Sequence, residues 1–193
     1  FNLGYFSYYP MIFCVVIFYF LFRYKDFEKT AFILVASFFI YYLIYIFVPV
    51  AGPQYYFPAI GAEEVAAAHF PPVGDYFNYH TALQPSPGQE WGFFYRLVDA
   101  SQEAGGRPTA AFPRSHVGIS TILLILAYKA KKTLFLVLLP FYVLLCCATV
   151  YIQAHYLIDA IAGFITAFII YGISVWMYTR WFVPVGKLEK PSY

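Results

Sequence analysis

The chain has 193 residues, of which 62% are hydrophobic, 23% aromatic and only 11% charged, with a formal net charge of +2. Soluble domains carry roughly a quarter charged residues, so this composition excludes a protein solvated by water alone. The net charge by itself says little; where the charges sit says more, and no nucleic-acid partner is expected.

The apolar runs come in order. Residues Phe1 to Phe22 carry no charge and predict a first transmembrane helix; about 20 residues suffice to span a bilayer. A chain that starts with Phe1, already apolar, is expected to be a fragment or processed form, with an upstream span bringing the total to six. Arg23, Lys25, Asp26, Glu28 and Lys29 form a charged turn, and Thr30 to Val50 is a second uncharged run ending at Pro49 and Gly52-Pro53, strong helix breakers.

The character then changes. Residues 51–113 hold seven of the twelve glycines, together with Glu63, Glu64, Asp75, Glu90, Asp99 and Glu103. This composition predicts a long extracytoplasmic cap loop within a single domain covering residues 1–193. Ala62 to Phe70 and Trp91 to Ala104 are candidate short helices. In the second, Trp91, Phe94, Tyr95 and Val98 recur at helical spacing and suit a helix lying on the bilayer.

Ser115 to Tyr128, Thr133 to about Ile152 and Leu157 to Tyr178 are the third, fourth and fifth runs. The fold expected is all-α: a polytopic membrane helix bundle with five spans in this chain. Cys14, Cys146 and Cys147 all lie inside apolar runs, which fits buried inert thiols and neither a disulfide framework nor a zinc site. One side of the membrane receives Arg23, Lys25, Lys29, Lys129, Lys131, Lys132, Arg180, Lys187 and Lys190, and the other only Arg96, Arg107 and Arg114. Lys- and Arg-rich short loops stay in the cytoplasm, so the long loop faces outward. An inner membrane of a bacterium, with the loop in the periplasm, is the expected location.

Two clusters carry chemistry. His155 and Asp159 stand four apart where the fifth run begins. On one helix face the carboxylate accepts a hydrogen bond from one imidazole nitrogen and leaves the other as nucleophile or base. A buried His–Asp pair that only locks two helices is the alternative. In the second cluster, Pro113, Arg114, Ser115 and His116 open the third run. Free backbone amides at that helix start would favour an anion, and Arg114 offers a bidentate fork for phosphate oxygens; otherwise Arg114 snorkels to headgroups. Both histidines fall at the same membrane level, and a phosphoryl group between them would have a nucleophile on one side and a proton donor on the other. His69 and His80 read as exposed loop histidines, with no spacing that supports a metal site.

Phe112-Pro113-Arg114-Ser115-His116 resembles the second motif, Pro-Ser-Gly-His, of the type-2 phosphatidic acid phosphatase superfamily, and Ala148 to Asp159 resembles the third, Ser-Arg-x5-His-x3-Asp. Val48-Pro49-Val50-Ala51-Gly52-Pro53 and His-Tyr-Leu-Ile-Asp-Ala-Ile-Ala-Gly resemble the branch that includes inositolphosphorylceramide synthases. The resemblance covers roughly residues 30 to 178. It implies a six-helix membrane fold and a phosphohistidine intermediate, without metal or other cofactor. It further implies His155 as nucleophile, Asp159 as its orienter and His116 as the acid that protonates the leaving oxygen.

The departures are specific. Arg107-Pro108 matches the end of the first motif, Lys-x6-Arg-Pro, but Ala100 stands where its lysine would be; the Ser-Arg of the third motif is Ala148-Thr149. Arg107, Arg114 and Ser115 are therefore the expected phosphate-binding residues. The expected substrate is a phospholipid, an isoprenyl diphosphate or a lipid A-type phosphate, hydrolysed at the outer leaflet. The rivals are transfer of a phospho-headgroup between lipids, and a non-catalytic protein that binds anionic lipid.

Overall fold

The structure is a computed structural model that describes residues 1–80, 84–85, 92–105 and 108–182. Arg107, Trp91 and the basic tail beyond Phe182 lie outside the described residues. Among the described residues the chain is helical, in the order α1 (Asn2–Phe6), α2 (Tyr8–Phe22), α3 (Tyr24–Phe47), α4 (Pro53–Ile60), α5 (Ala62–Ala66), α6 (Phe93–Gly105), α7 (Ser115–Ala130), α8 (Lys132–Tyr151) and α9 (Leu157–Phe182), with a 3-10 turn at Gly74–Asn78.

Four stretches are long and apolar enough to cross a bilayer: Asn2–Phe22, Tyr24–Phe47, Lys132–Tyr151 and Leu157–Phe182. With the shorter α7 they give the five apolar segments expected, and the protein is an integral membrane helix bundle. The first segment is not one smooth helix. It breaks at Ser7, whose hydroxyl donates to Gly4 O at 2.6 Å and lies 3.4 Å from Phe141 O on α8. The charged turn also shrinks to Arg23, because α3 takes in Lys25 through Lys29; Arg23 Nε pairs with Asp26 at 3.3 Å.

The 16-residue α7 spans about 24 Å, short of a roughly 30 Å hydrocarbon core. It sits at the centre of the bundle, packed against α2, α3, α8 and α9. Val117, Ile119, Ile122, Leu123, Leu126 and Ala127 are all buried, as expected for a helix apolar on every side. The surrounding helices turn large side chains outward: Phe13, Phe39, Leu136 and Ile169 are each more than half exposed, which suits a lipid-facing surface. Cys14 and Cys147 belong to that surface, contrary to the expected burial of all three thiols; only Cys146 is partly covered. An apolar stretch alone does not say which of its sides faces a neighbour.

Lipid offers no hydrogen bonds, so polar side chains within the bundle pair with one another. Tyr19 donates to Leu126 O at 3.0 Å, Tyr41 to Gly163 O at 3.2 Å, and the Thr121 and Tyr142 hydroxyls meet at 2.8 Å. The α2–α3 turn, the α7–α8 turn and the end of α9 share one end of the bundle. There Lys29 approaches the Tyr178 ring, and Lys129 donates to the Tyr171 hydroxyl at 2.7 Å. The starts of α7 and α9 and the ends of α3 and α8 share the opposite end.

Candidate active site

At that opposite end the chain segments after α3 and before α7 run together. Val50 and Ala110 form an isolated parallel bridge, with Val50 N donating to Thr109 O at 3.1 Å and Ala111 N to Val50 O at 3.0 Å. The turn between α8 and α9 is drawn in beside them. Gln54 N donates to Gln153 O at 3.1 Å, and a Cβ on Gly52 would lie 2.6 Å from Ala154 O. Any larger residue at 52 would push the α8–α9 turn away. In this way the Pro- and Gly-rich segment following α3 positions the loop that carries His155.

His155 is buried and lies in the turn before α9, not on the helix face expected from its spacing with Asp159. Its Nδ1 is 3.1 Å from Ala111 O and 3.5 Å from Asp159 Oδ2. A carbonyl oxygen only accepts, so Nδ1 carries the hydrogen and Nε2 keeps its lone pair. The nearer partner that sets the tautomer is a backbone carbonyl. The carboxylate is the longer contact, and is itself held by a 2.9 Å bond from Tyr156 N. Burial, foremost, then the neighbouring charges of Arg114 and His116 push the His155 pKa well below its ordinary value, while the bond to Ala111 opposes them. Neutral imidazole is therefore the resting form near pH 7.

The start of α7 is tied to the start of α9 through the main chain. Arg114 N donates to Asp159 O at 3.0 Å, and a Cβ on Gly163 would lie 2.4 Å from Arg114 O. A glycine one turn after Asp159 thus lets the two helix starts touch. The first amide of α7 is not free for an anion as anticipated: Ser115 N donates to the Tyr45 hydroxyl at 2.9 Å, and that hydroxyl donates to Pro113 O at 2.9 Å. Tyr45 acts as a cap supplied by another helix.

His116 is held by rings. Tyr8 lies 4.2 Å and Tyr5 5.4 Å away, centroid to centroid, and His116 Nδ1 is buried with no hydrogen-bond partner among the described residues. Arg114, only 6% exposed, donates through a terminal nitrogen to the Tyr5 hydroxyl. Among the described residues its Nε has no partner, and no carboxylate pairs with it.

Arg114, Ser115, His116 and His155 all line one cavity of about 910 Å3, with Asp159 behind His155. Arg107 lies outside the described residues. The other walls come largely from tyrosines of the first three helices, among them Tyr5, Tyr8, Tyr41 and Tyr45. Sequence reasoning did not single out Tyr5, Tyr8, Tyr45 or the Ala111 carbonyl. Tyr5 and Tyr8 stand three apart in a chain with 20 tyrosines, so spacing offered little to distinguish them. His69 and His80 are exposed and away from the cavity, the first paired with Glu64 and the second stacked on Tyr76 at 4.2 Å. Of the α6 face expected to lie on the bilayer, Tyr95 and Val98 are buried where α6 packs on α1, while Phe94 stays exposed.

A buried guanidinium that no described carboxylate pairs with, beside two imidazoles, suits an anion. The family model described as the PAP2 superfamily matches residues 2–173. No curated protein and no solved structure gives a significant match.

Proposed function

The chain belongs to the PAP2 superfamily, a family of phosphatase- and phosphotransferase-type activity on phosphorylated lipids, and from that premise we propose that it hydrolyses a lipid phosphate or diphosphate at the outer leaflet through a phosphohistidine on His155. The single observation that carries this reading is the 3.1 Å contact of His155 Nδ1 with Ala111 O. It leaves Nε2 unprotonated in a side chain that lines the same cavity as Arg114 and His116.

In the first step the Nε2 lone pair attacks phosphorus. A P–N bond forms, the P–O bond to the lipid oxygen breaks, and that oxygen takes a proton from His116. Arg114 neutralises the phosphoryl oxygens as charge shifts among them, and Ser115 stands beside it as a further donor. In the second step water adds to phosphorus and gives its proton to His116. The P–N bond breaks, its electron pair returns to Nε2, and inorganic phosphate leaves. Asp159 and Ala111 hold the imidazole in one tautomer through both steps. The outward placement of the site follows from the Lys- and Arg-rich opposite end of the bundle. Candidate substrates are phosphatidic acid, phosphatidylglycerophosphate, isoprenyl diphosphates and lipid A phosphates.

The test uses the purified protein in lipid vesicles with 32P-labelled substrates of these classes. The expected result is release of inorganic phosphate, with an acid-labile, alkali-stable label on the quenched wild-type protein. His155→Ala should carry no label, and full release by that variant would refute the reading. The segments Val48 to Pro53 and His155 to Gly163, which resemble the inositolphosphorylceramide synthase branch, favour transfer as a second reading. Adding a lipid alcohol separates the two: in transfer the label moves to the alcohol and free phosphate falls.

A further inference from the structure

Among the described residues that line the cavity, Arg114 is the one Lys or Arg. A phosphate ester near neutral pH carries up to two negative charges and three oxygens to satisfy. Among the described residues a neutral donor is already joined to Arg114. A guanidinium only donates, so in the contact between Arg114 and Tyr5 the phenol oxygen accepts. The phenol hydrogen is then left over. The Tyr5 hydroxyl makes no other hydrogen bond among the described residues, the residue is 95% covered, and its side chain lines the cavity.

Two further contacts hold the phenol in place. The Tyr5 ring lies 5.4 Å from the His116 ring at 24° and beneath the Arg114 guanidinium, also at 5.4 Å. Tyr5 also packs in a cluster with Val98, Ala148, Ile152 and Ala154. The small Ala148 therefore leaves room for a tyrosine from α1. Thr149, next to it, is fully buried and spends its hydroxyl on Cys146 O at 2.8 Å, so that segment offers the cavity no donor of its own.

We infer that Tyr5 is a phosphate ligand: its hydroxyl accepts from Arg114 and donates its own hydrogen to an oxygen of the substrate phosphate, so that phenol and guanidinium grip the group together. The inference rests on the phosphotransfer reading above and adds to it a residue from the first helix. α1 thereby contributes to recognition of the headgroup, in addition to packing against α8.

The probe is orthovanadate, a phosphate analogue, titrated as an inhibitor and as a ligand by calorimetry on the full chain in detergent. Tyr5→Phe keeps the ring on His116 and removes only the hydroxyl. It is expected to weaken vanadate about 10- to 100-fold, as for a hydrogen bond to a charged group. Tyr19→Phe, which loses a buried hydrogen bond to Leu126 O far from the cavity, should change vanadate affinity less than twofold and controls for general loosening. A role limited to holding Arg114 is separated by the Arg114→Lys background, whose ammonium lacks the planar fork. Tyr5→Phe should still weaken vanadate several-fold there. Unchanged affinity of Tyr5→Phe in the otherwise native chain, or no additional loss in the Arg114→Lys background, would overturn the assignment. A native protein that neither binds vanadate nor releases phosphate would instead refute the phosphotransfer reading on which it rests.

Discussion

The two histidine-bearing helix starts are built in opposite ways. His155 is held by hydrogen bonds, 3.1 Å to Ala111 O and 3.5 Å to Asp159, and sits in a turn that other segments grip through their main chains. His116 is held by the faces of Tyr8 and Tyr5, and its Nδ1 has no partner among the described residues. Hydrogen bonds fix a tautomer; ring stacking fixes a position and leaves the protons free. An imidazole locked as Nδ1–H suits a nucleophile, which must present the same lone pair at every turnover. An imidazole with an unengaged nitrogen suits a proton carrier, which must gain and lose one each cycle.

The largest test of this contrast removes the locked ring. His155→Ala should abolish turnover to the limit of detection in a phosphate-release assay, together with the covalent label. His116→Ala should cost about 100- to 10,000-fold in kcat, the range of a lost general acid, and should still allow labelling from a substrate with a good leaving group, such as p-nitrophenyl phosphate. If the two variants behave alike toward that substrate, the division of roles fails.

A second test uses pH. The His155 pKa is lowered, by burial first and by Arg114 and His116 next, so this ring remains neutral as pH falls through 6.5 and protonates only below. The acid limb of kcat/KM should therefore lie below pH 6.5, while any basic limb belongs to the proton donor. The same shift has a stability sign. A group kept neutral by folding contributes fully at high pH and loses its contribution as pH falls through 6.5 toward the lowered value. Melting temperature should accordingly drop on acidification, and His155→Asn should flatten that dependence.

The smallest expected effect probes the joint between the two helix starts. Gly163→Ala places a Cβ 2.4 Å from Arg114 O, and overpacking of this kind costs about 1–3 kcal/mol. Because the contact is to the Arg114 backbone, vanadate affinity should fall together with thermal stability. Gly172→Ala, where an added Cβ meets nothing within 4 Å, should leave both unchanged.

Much of this protein is legible in its sequence. Uncharged runs of about 20 residues have one solution in lipid, a helix whose backbone satisfies itself; hence the apolar segments read from Thr30, Thr133 and Leu157 were legible, though the start of α3 at Tyr24 was not. Arg114, His116, His155 and Asp159 stood out because charged and titratable groups at the mouth of a membrane span are costly without a purpose. Other features were decided only when distant segments met. The break at Ser7 depends on α8, the outward turn of Cys14 and Cys147 depends on which sides the neighbours cover, and the cap on Ser115 comes from Tyr45, 70 residues away. The spacing of His155 and Asp159 brought them near each other, but the carbonyl that sets the tautomer comes from Ala111, placed by its bridge to Val50. Tyr5 had no local mark at all, since one tyrosine in an apolar run looks like the next. Local patterns report solvent and periodicity; which donor meets which acceptor is settled by packing between segments far apart in the chain.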